Sequence, residues 1–151
     1  MINDLQQHPS GAGIRSLIDR WQQDQEFREN IAYWKITPAR EAVNAPIPTS
    51  LAPKLLEALK ALGISQLYSH QAEAVERAHN GENLVIATGT ASGKTLCYNL
   101  PAVQQALSNP NARILYLFPT KALAQDQLTG LNQLLKALPS KKPLPANIFD
   151  G

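Results

Sequence analysis

The chain of 151 residues has a single cysteine, Cys97, and almost no charge imbalance, and it has no long apolar run. One thiol makes no internal disulfide and no cysteine-clustered zinc site, so a reducing cytoplasm is the expected setting. His8, His70 and His79 share no metal-ligand spacing with one another or with Cys97. No stretch approaches the ~18 consecutive apolar residues of a spanning helix. The opening MINDLQQHPSGAG has neither the basic flank nor the apolar centre of an export signal, so neither export nor a membrane partner is expected. Fourteen Lys and Arg against twelve Asp and Glu leave a net charge of +2, too little to argue for nucleic acid by itself. The surplus lies after residue 50, so an anion-facing surface is expected there. Internal repeats are also absent. At 44% hydrophobic, the composition suffices for one core of ordinary domain size.

Residues 1–13 are polar, with Gly, Pro and Ser, and are left out of the expected fold. Ile14, Leu17, Ile18 and Trp21 then fall on one helical stripe, which extends through Phe27 and Ile31 toward Trp34. Pro38, Pro46 and Pro48 make 36–49 an extended connector, so 1–49 reads as a helical extension with its linker and 50–151 as the domain. Ser50 is the expected N-cap of a helix carrying Leu55, Leu56, Leu59 and Leu62, stopped by Gly63. Ser69 is the expected cap of a second helix through Gln71, Val75 and Ala78, closed by Asn80 and Gly81. Two short apolar runs, LVIA at 84–87 and ILYLF at 114–118, flank a helical segment at about 93–108, the rhythm of a βαβ unit. Continuous apolar strands imply a buried parallel sheet, hence an α/β fold. Thr120 caps a further helix with Leu123, Leu128, Leu131, Leu134 and Leu135. After the loop PSKKPLP, with Lys141 and Lys142 in solvent, ANIF at 146–149 reads as the start of a third strand.

The strongest chemical signal is Ala87-Thr88-Gly89-Thr90-Ala91-Ser92-Gly93-Lys94-Thr95, between an expected strand and an expected helix. Glycines let successive backbone N–H groups converge on an anion, the helix N-terminus adds partial positive charge, and Lys94 neutralises terminal phosphates. The Thr95 hydroxyl is placed to hold Mg²⁺. The strict pattern has glycine where this chain has Thr88, with Gly89 one step later. Residues 88–95 are the candidate ATP site, with Lys94 and Thr95 the candidates for catalysis.

This segment resembles the first motif of superfamily 2 helicases of the DEAD/DEAH-box type. Gln71 precedes Lys94 at a separation very similar to that of the adenine-reading glutamine in DEAD-box proteins, and a primary amide pairs with both the amino group and N7 of adenine. The family's adenine-stacking aromatic falls at Lys54 on this spacing, so its role is either unfilled or taken by Tyr68. Pro119-Thr120-Lys121-Ala122-Leu123-Ala124-Gln125 looks like motif Ia, which in the family touches nucleic-acid backbone. Hydroxyl, ammonium and free N–H groups at a helix start suit such sequence-independent contacts. DEAD-box RNA helicases usually read PTRELA there. PTKALAQDQ, together with Leu67-Tyr68-Ser69-His70-Gln71 and Pro38-Ala39-Arg40-Glu41-Ala42, is most similar to the Hrq and mitomycin-repair-factor branch of DNA helicases, associated with 3′ to 5′ unwinding and DNA repair. The resemblance covers about residues 36–151. It implies a RecA-like three-layer fold, with ATP and Mg²⁺ as cofactors. The implied partners are nucleic acid, here DNA, and a second RecA-like lobe.

Hydrolysis in that family also uses an Asp-Glu pair at the end of a later strand. After Lys94 the only acidic residues are Asp126 and Asp150, so the expectation is a truncated first motor domain, inactive alone, from a larger ATP-dependent helicase. The alternatives are a non-catalytic nucleotide or nucleic-acid binding module serving assembly, and a fragment of an RNA helicase, which 2′-hydroxyl contacts would distinguish.

Overall fold

The computed structural model describes residues 12–38, 41–90, 92–140 and 143–149. Residues 1–11, Ala39, Arg40, Ala91, Lys141, Lys142, Asp150 and Gly151 lie outside the described set, and the expectations placed on them stay there. The chain divides into two units, Met1–Arg40 and Glu41–Gly151.

In the first unit the expected stripe forms helix α1, Ala12–Gln23, but does not run on to Trp34. Asp24 stops it: its backbone is extended and its carboxylate accepts from Phe27 N–H at 3.0 Å, which caps a separate short helix α2, Gln25–Glu29. An internal aspartate offers the backbone a cap in place of the next helical bond, and here the cap prevails. Trp21 and Phe27 stack across the break with centroids 4.8 Å apart.

The second unit begins in the proline-rich connector, which supplies a strand as well as a link. Strand β1, Asn44–Ala45, pairs antiparallel with β2, Leu67–Tyr68. Helix α3, Pro53–Ala61, is capped by Ala52 and not by Ser50, with Pro53 in its first turn, where a missing N–H costs nothing. The cap is tertiary: Ala52 N–H donates to Gln104 Oε1 at 2.7 Å, while the Ser50 hydroxyl is buried without a partner. Gly63 stops the helix at φ 75°, as its position suggested. Helix α4 spans Ser69–His79 with Tyr68, not Ser69, as its cap residue, because the Gln71 side chain reaches back to the Tyr68 N–H at 2.9 Å. Helix α5, Lys94–Ser108, follows the phosphate loop, and helix α6, Lys121–Ala137, is capped by Thr120 as expected, its hydroxyl accepting from Leu123 N–H at 3.2 Å.

The core joins α3 to α6, with Leu55, Leu59, Leu67, Leu100 and Cys97 fully enclosed. Leu55 is the archetype of its contribution, since truncating so enclosed a leucine costs about 2–5 kcal/mol.

The expected parallel sheet is the main departure. Among the described residues one ladder forms, β1 with β2. The runs at 84–87, 114–118 and 146–149 are non-helical, without ladder partners. Their burial nevertheless alternates with the period of two that extended strands impose. Leu84 and Ile86 are half-buried while Val85 is 97% exposed, and Tyr116 packs on the core while Leu115 and Leu117 are 82% and 84% exposed. Leu144, Ala146 and Ile148 point inward and Phe149 outward. Each run therefore has strand-like facing, with helices on one side and no ladder along its edges.

Candidate functional site

The candidate phosphate loop is a turn wrapped around its own lysine. Gly93 caps α5 with left-handed φ 73° and ψ 26°, which directs Lys94 back over the preceding loop. Lys94 Nζ donates to the Gly89 carbonyl at 2.6 Å and the Thr88 carbonyl at 3.0 Å, and lies 3.4 Å from the hydroxyls of Thr88 and Ser92. Those two hydroxyls bond to each other at 2.6 Å. An ammonium has three donors and no acceptor, so it serves the loop's oxygens until an anion offers better ones. Four loop oxygens thus gather round one cation. A phosphate must draw Lys94 from the two carbonyls, and its own charge is what makes that exchange favourable. Ala91 lies outside the described residues.

A second layer, from α4, holds this loop from behind. Gln71 is only 4% exposed, its Oε1 bonded to Tyr68 N–H and its Nε2 donating to the Gly93 carbonyl at 2.8 Å. Each end of the amide keeps one unused hydrogen or lone pair, the two groups a bidentate contact with a purine needs. His70 Nε2 lies 2.9 Å from the Ser92 carbonyl and its ring stacks on Tyr68. No role was expected of His70, whose sequence signal is its place in the Leu67–Gln71 segment that carries the family resemblance. An open depression of about 530 Å³ lies beside this clamp, with Asn44, Gln66, Tyr68, Gln71, Gly93 and Leu96 in its wall. Lys54 is exposed on α3 and is not part of that wall, whereas Tyr68 is.

Thr95 turns toward α6. Its hydroxyl lies 3.2 Å from Gln127 Oε1, and Tyr98 OH donates to the same oxygen at 2.5 Å. Gln127 closes the PTKALAQDQ segment that carries the family resemblance, but no role was expected of it, because its partners lie on another helix. Tyr98 meets Tyr116 edge-on, and the Tyr116 hydroxyl is buried without a hydrogen-bond partner; burial and the neighbouring Tyr98 push its pKa up to about 12. Cys97 and Leu100 are core, as expected, and burial pushes the Cys97 thiol upward. At the start of α6, Pro119, Thr120 and Lys121 are exposed at the end of the 114–118 run. Thr95, Tyr98 and Gln127 thus join α5 to α6, the helix at whose start these three residues stand.

The family model for DEAD/DEAH box helicases matches residues 68–146, a span that holds Gln71, the phosphate loop and the start of α6. The chain belongs to the DEAD/DEAH box helicase family. It is 46% identical over 112 residues to the ATP-dependent helicase YprA of Bacillus subtilis, a match covering 74% of this chain and 15% of that protein. It is 34% identical over 138 residues to the ATP-dependent helicase Hrq1 of Saccharomyces cerevisiae, covering 91% of this chain and 12% of the relative. The crystal structure of the helicase MrfA bound to DNA and AMPPNP superposes with a TM-score of 0.72 at 41% identity, over 84% of this chain and 17% of that one. These relatives agree with the Hrq branch expected from the motifs, and the fold is that of a RecA-like helicase domain. The chain spans less than a fifth of the length of each. No helix among the described residues is long and apolar enough to cross a membrane.

Proposed function

We infer that this chain is the ATP-binding N-terminal part of the first motor domain in an ATP-dependent DNA helicase acting in the cytoplasm. The observation that carries the reading is the hydrogen bond from Gln71 to the Gly93 carbonyl, which sets a purine-reading amide directly behind the loop that carries Lys94. Residues 88–95 hold the phosphates, with Lys94 as counter-charge, and Gln71 reads adenine while Tyr68, in the wall of the same depression, supplies the aromatic face. Thr95 contributes one hydroxyl oxygen to Mg²⁺. Among the described residues no group of three His, Cys, Asp or Glu gathers to hold a metal. Pro119, Thr120 and Lys121 contact the phosphate backbone of one strand. DNA is the preferred polymer because MrfA, of similar sequence and fold, is bound to DNA in its structure.

In this reading residues 1–49 are an extension and linker and 50–151 the motor segment. The exposed faces of 84–87, 114–118 and 146–149 become strands of a parallel sheet covered by a second layer, and a second lobe closes on the nucleotide. Hydrolysis needs the carboxylate pair outside this segment, so the chain alone binds and does not turn over.

Titrating a fluorescent ATP analogue with Mg²⁺ into the chain tests this. Saturable binding is expected, abolished in Lys94→Ala and weakened by about tenfold in Gln71→Ala. Binding undiminished in Lys94→Ala overturns the assignment. In the full-length protein, Lys94→Ala is expected to abolish DNA-stimulated hydrolysis. Stimulation by RNA in preference to DNA reassigns the substrate, and absence of any turnover in the wild type reassigns the protein as a binding module.

A further inference from the structure

We propose that Gln127 is the residue through which nucleotide binding and nucleic-acid binding sense each other in this protein. The proposal rests on the two sites assigned above and adds the contact between them. Gln127 sits on α6, half-buried, with its side-chain oxygen taking hydrogen bonds from both Thr95 and Tyr98 of α5, while its nitrogen donates to Asp126 Oδ2 at 3.1 Å. A carbonyl oxygen has two lone pairs, and both are used. The oxygen is therefore committed to α5.

Thr95 has one hydroxyl proton. If its oxygen is to offer a lone pair to a cation, the proton must point elsewhere and find an acceptor, and Gln127 Oε1 is the acceptor at hand. Polarisation by a bound cation makes a hydroxyl a stronger donor, so loading the site tightens the bond to Gln127. The other end of the connection is the helix itself. Thr120 caps α6 and Gln127 lies seven positions on, about two turns or ~10 Å along a continuously bonded rod. A strand gripped at Thr120 and Lys121 thus bears on the same helix that carries Gln127, the acceptor that orients Thr95. Linkage makes the influence mutual.

A glutamine that only packed helices would be replaceable by methionine, which fills similar volume, because α6 is already anchored by Leu131 and Leu134. That contrast supplies the test. In the full-length protein, fluorescence anisotropy gives the Kd for a single-stranded DNA oligonucleotide with and without AMPPNP and Mg²⁺. The wild type is expected to show a ratio of about 5 or more. Gln127→Met is expected to bring the ratio near one while DNA without nucleotide binds within about twofold of the wild type, whereas Gln127→Glu, which keeps an acceptor oxygen, retains the coupling. Gln127→Asn withdraws the oxygen by a methylene and serves as the second loss variant should the methionine variant fold poorly. A wild-type ratio preserved in Gln127→Met or Gln127→Asn overturns the proposal with both sites intact, and so does loss in Gln127→Glu equal to that in Gln127→Met. A wild type that binds both ligands without coupling also overturns it. A wild type that binds neither refutes the underlying site assignment, and that is read before any variant is made.

Discussion

Gly93→Ala probes the contact between Gln71 and the loop at 88–95 without any nucleotide present. A Cβ built on Gly93 lies 2.5 Å from Gln71 Nε2, with the next neighbours at 3.7 Å, and the backbone φ of 73° is one that residues with a Cβ adopt at a cost of about 1 kcal/mol. The methyl group must push the Gln71 amide away. That breaks the bond to the Gly93 carbonyl and disturbs the one to Tyr68 N–H, each worth about 1 kcal/mol. The single variant is therefore expected to lose about 3 kcal/mol, and Gln71→Ala alone about 2 kcal/mol for the same two bonds. With Gln71 already removed, only ordinary contact with Tyr68 remains near the new methyl, so the double variant costs little beyond Gly93→Ala. Urea unfolding followed by circular dichroism should give a coupling of about 2 kcal/mol between the sites. Additive losses, or a Gly93→Ala cost that does not shrink in the Gln71→Ala background, would refute the argued clash.

Four further outcomes follow from local geometry and burial. Thr120→Ala removes the cap on α6 and should cost about 1 kcal/mol by urea unfolding, with Thr120→Ser restoring it; no loss would mean that water serves Leu123 N–H equally well. Tyr116→Phe deletes a buried hydroxyl without a partner, so its midpoint should stay level or rise, unlike the fall expected of a truncation in the core. The same tyrosine titrates near 10 when unfolded and is held up to about 12 in the fold. Its contribution is full below pH 10 and is lost as pH climbs toward 12, because there the unfolded chain ionises first. Stability should accordingly fall over that window, and less steeply in Tyr116→Phe. Cys97, buried with its thiol pushed upward, should react with a disulfide reagent only as fast as the protein opens; prompt reaction in native buffer would contradict its burial.

The site was legible because its chemistry is local. Gly93 next to Lys94 fixes a left-handed turn into a helix N-terminus, and neither feature needs a distant partner to be read. Gln71 was found by its separation from Lys94, but the bond that holds it to Gly93 depends on how α4 packs on α5, which no spacing records. The same reason hid the bonds of His70 and Gln127, whose partners lie 22 and 32 positions away, and misplaced the cap of α3, where Gln104 of another helix does what Ser50 was expected to do. Asp24 is the opposite case: the signal was local and present, and the apolar stripe running through it masked a capping aspartate.

The strands show where such reading reaches its physical limit. Composition correctly marked 84–87, 114–118 and 146–149 as apolar, short and bounded by turns, and the alternating burial of Leu84, Val85 and Ile86 follows from extended geometry alone. Composition also said that both faces want cover, since outward Val85, Leu115 and Leu117 are as apolar as their inward neighbours. What it does not encode is which edge each run bonds to, because ladder pairing is a relation between segments far apart in the chain. The helices α3 to α6 satisfy the inward faces and fix the phosphate loop at the end of the first run. The loop at 88–95 is therefore supported from the helical side, by Gln71 and His70.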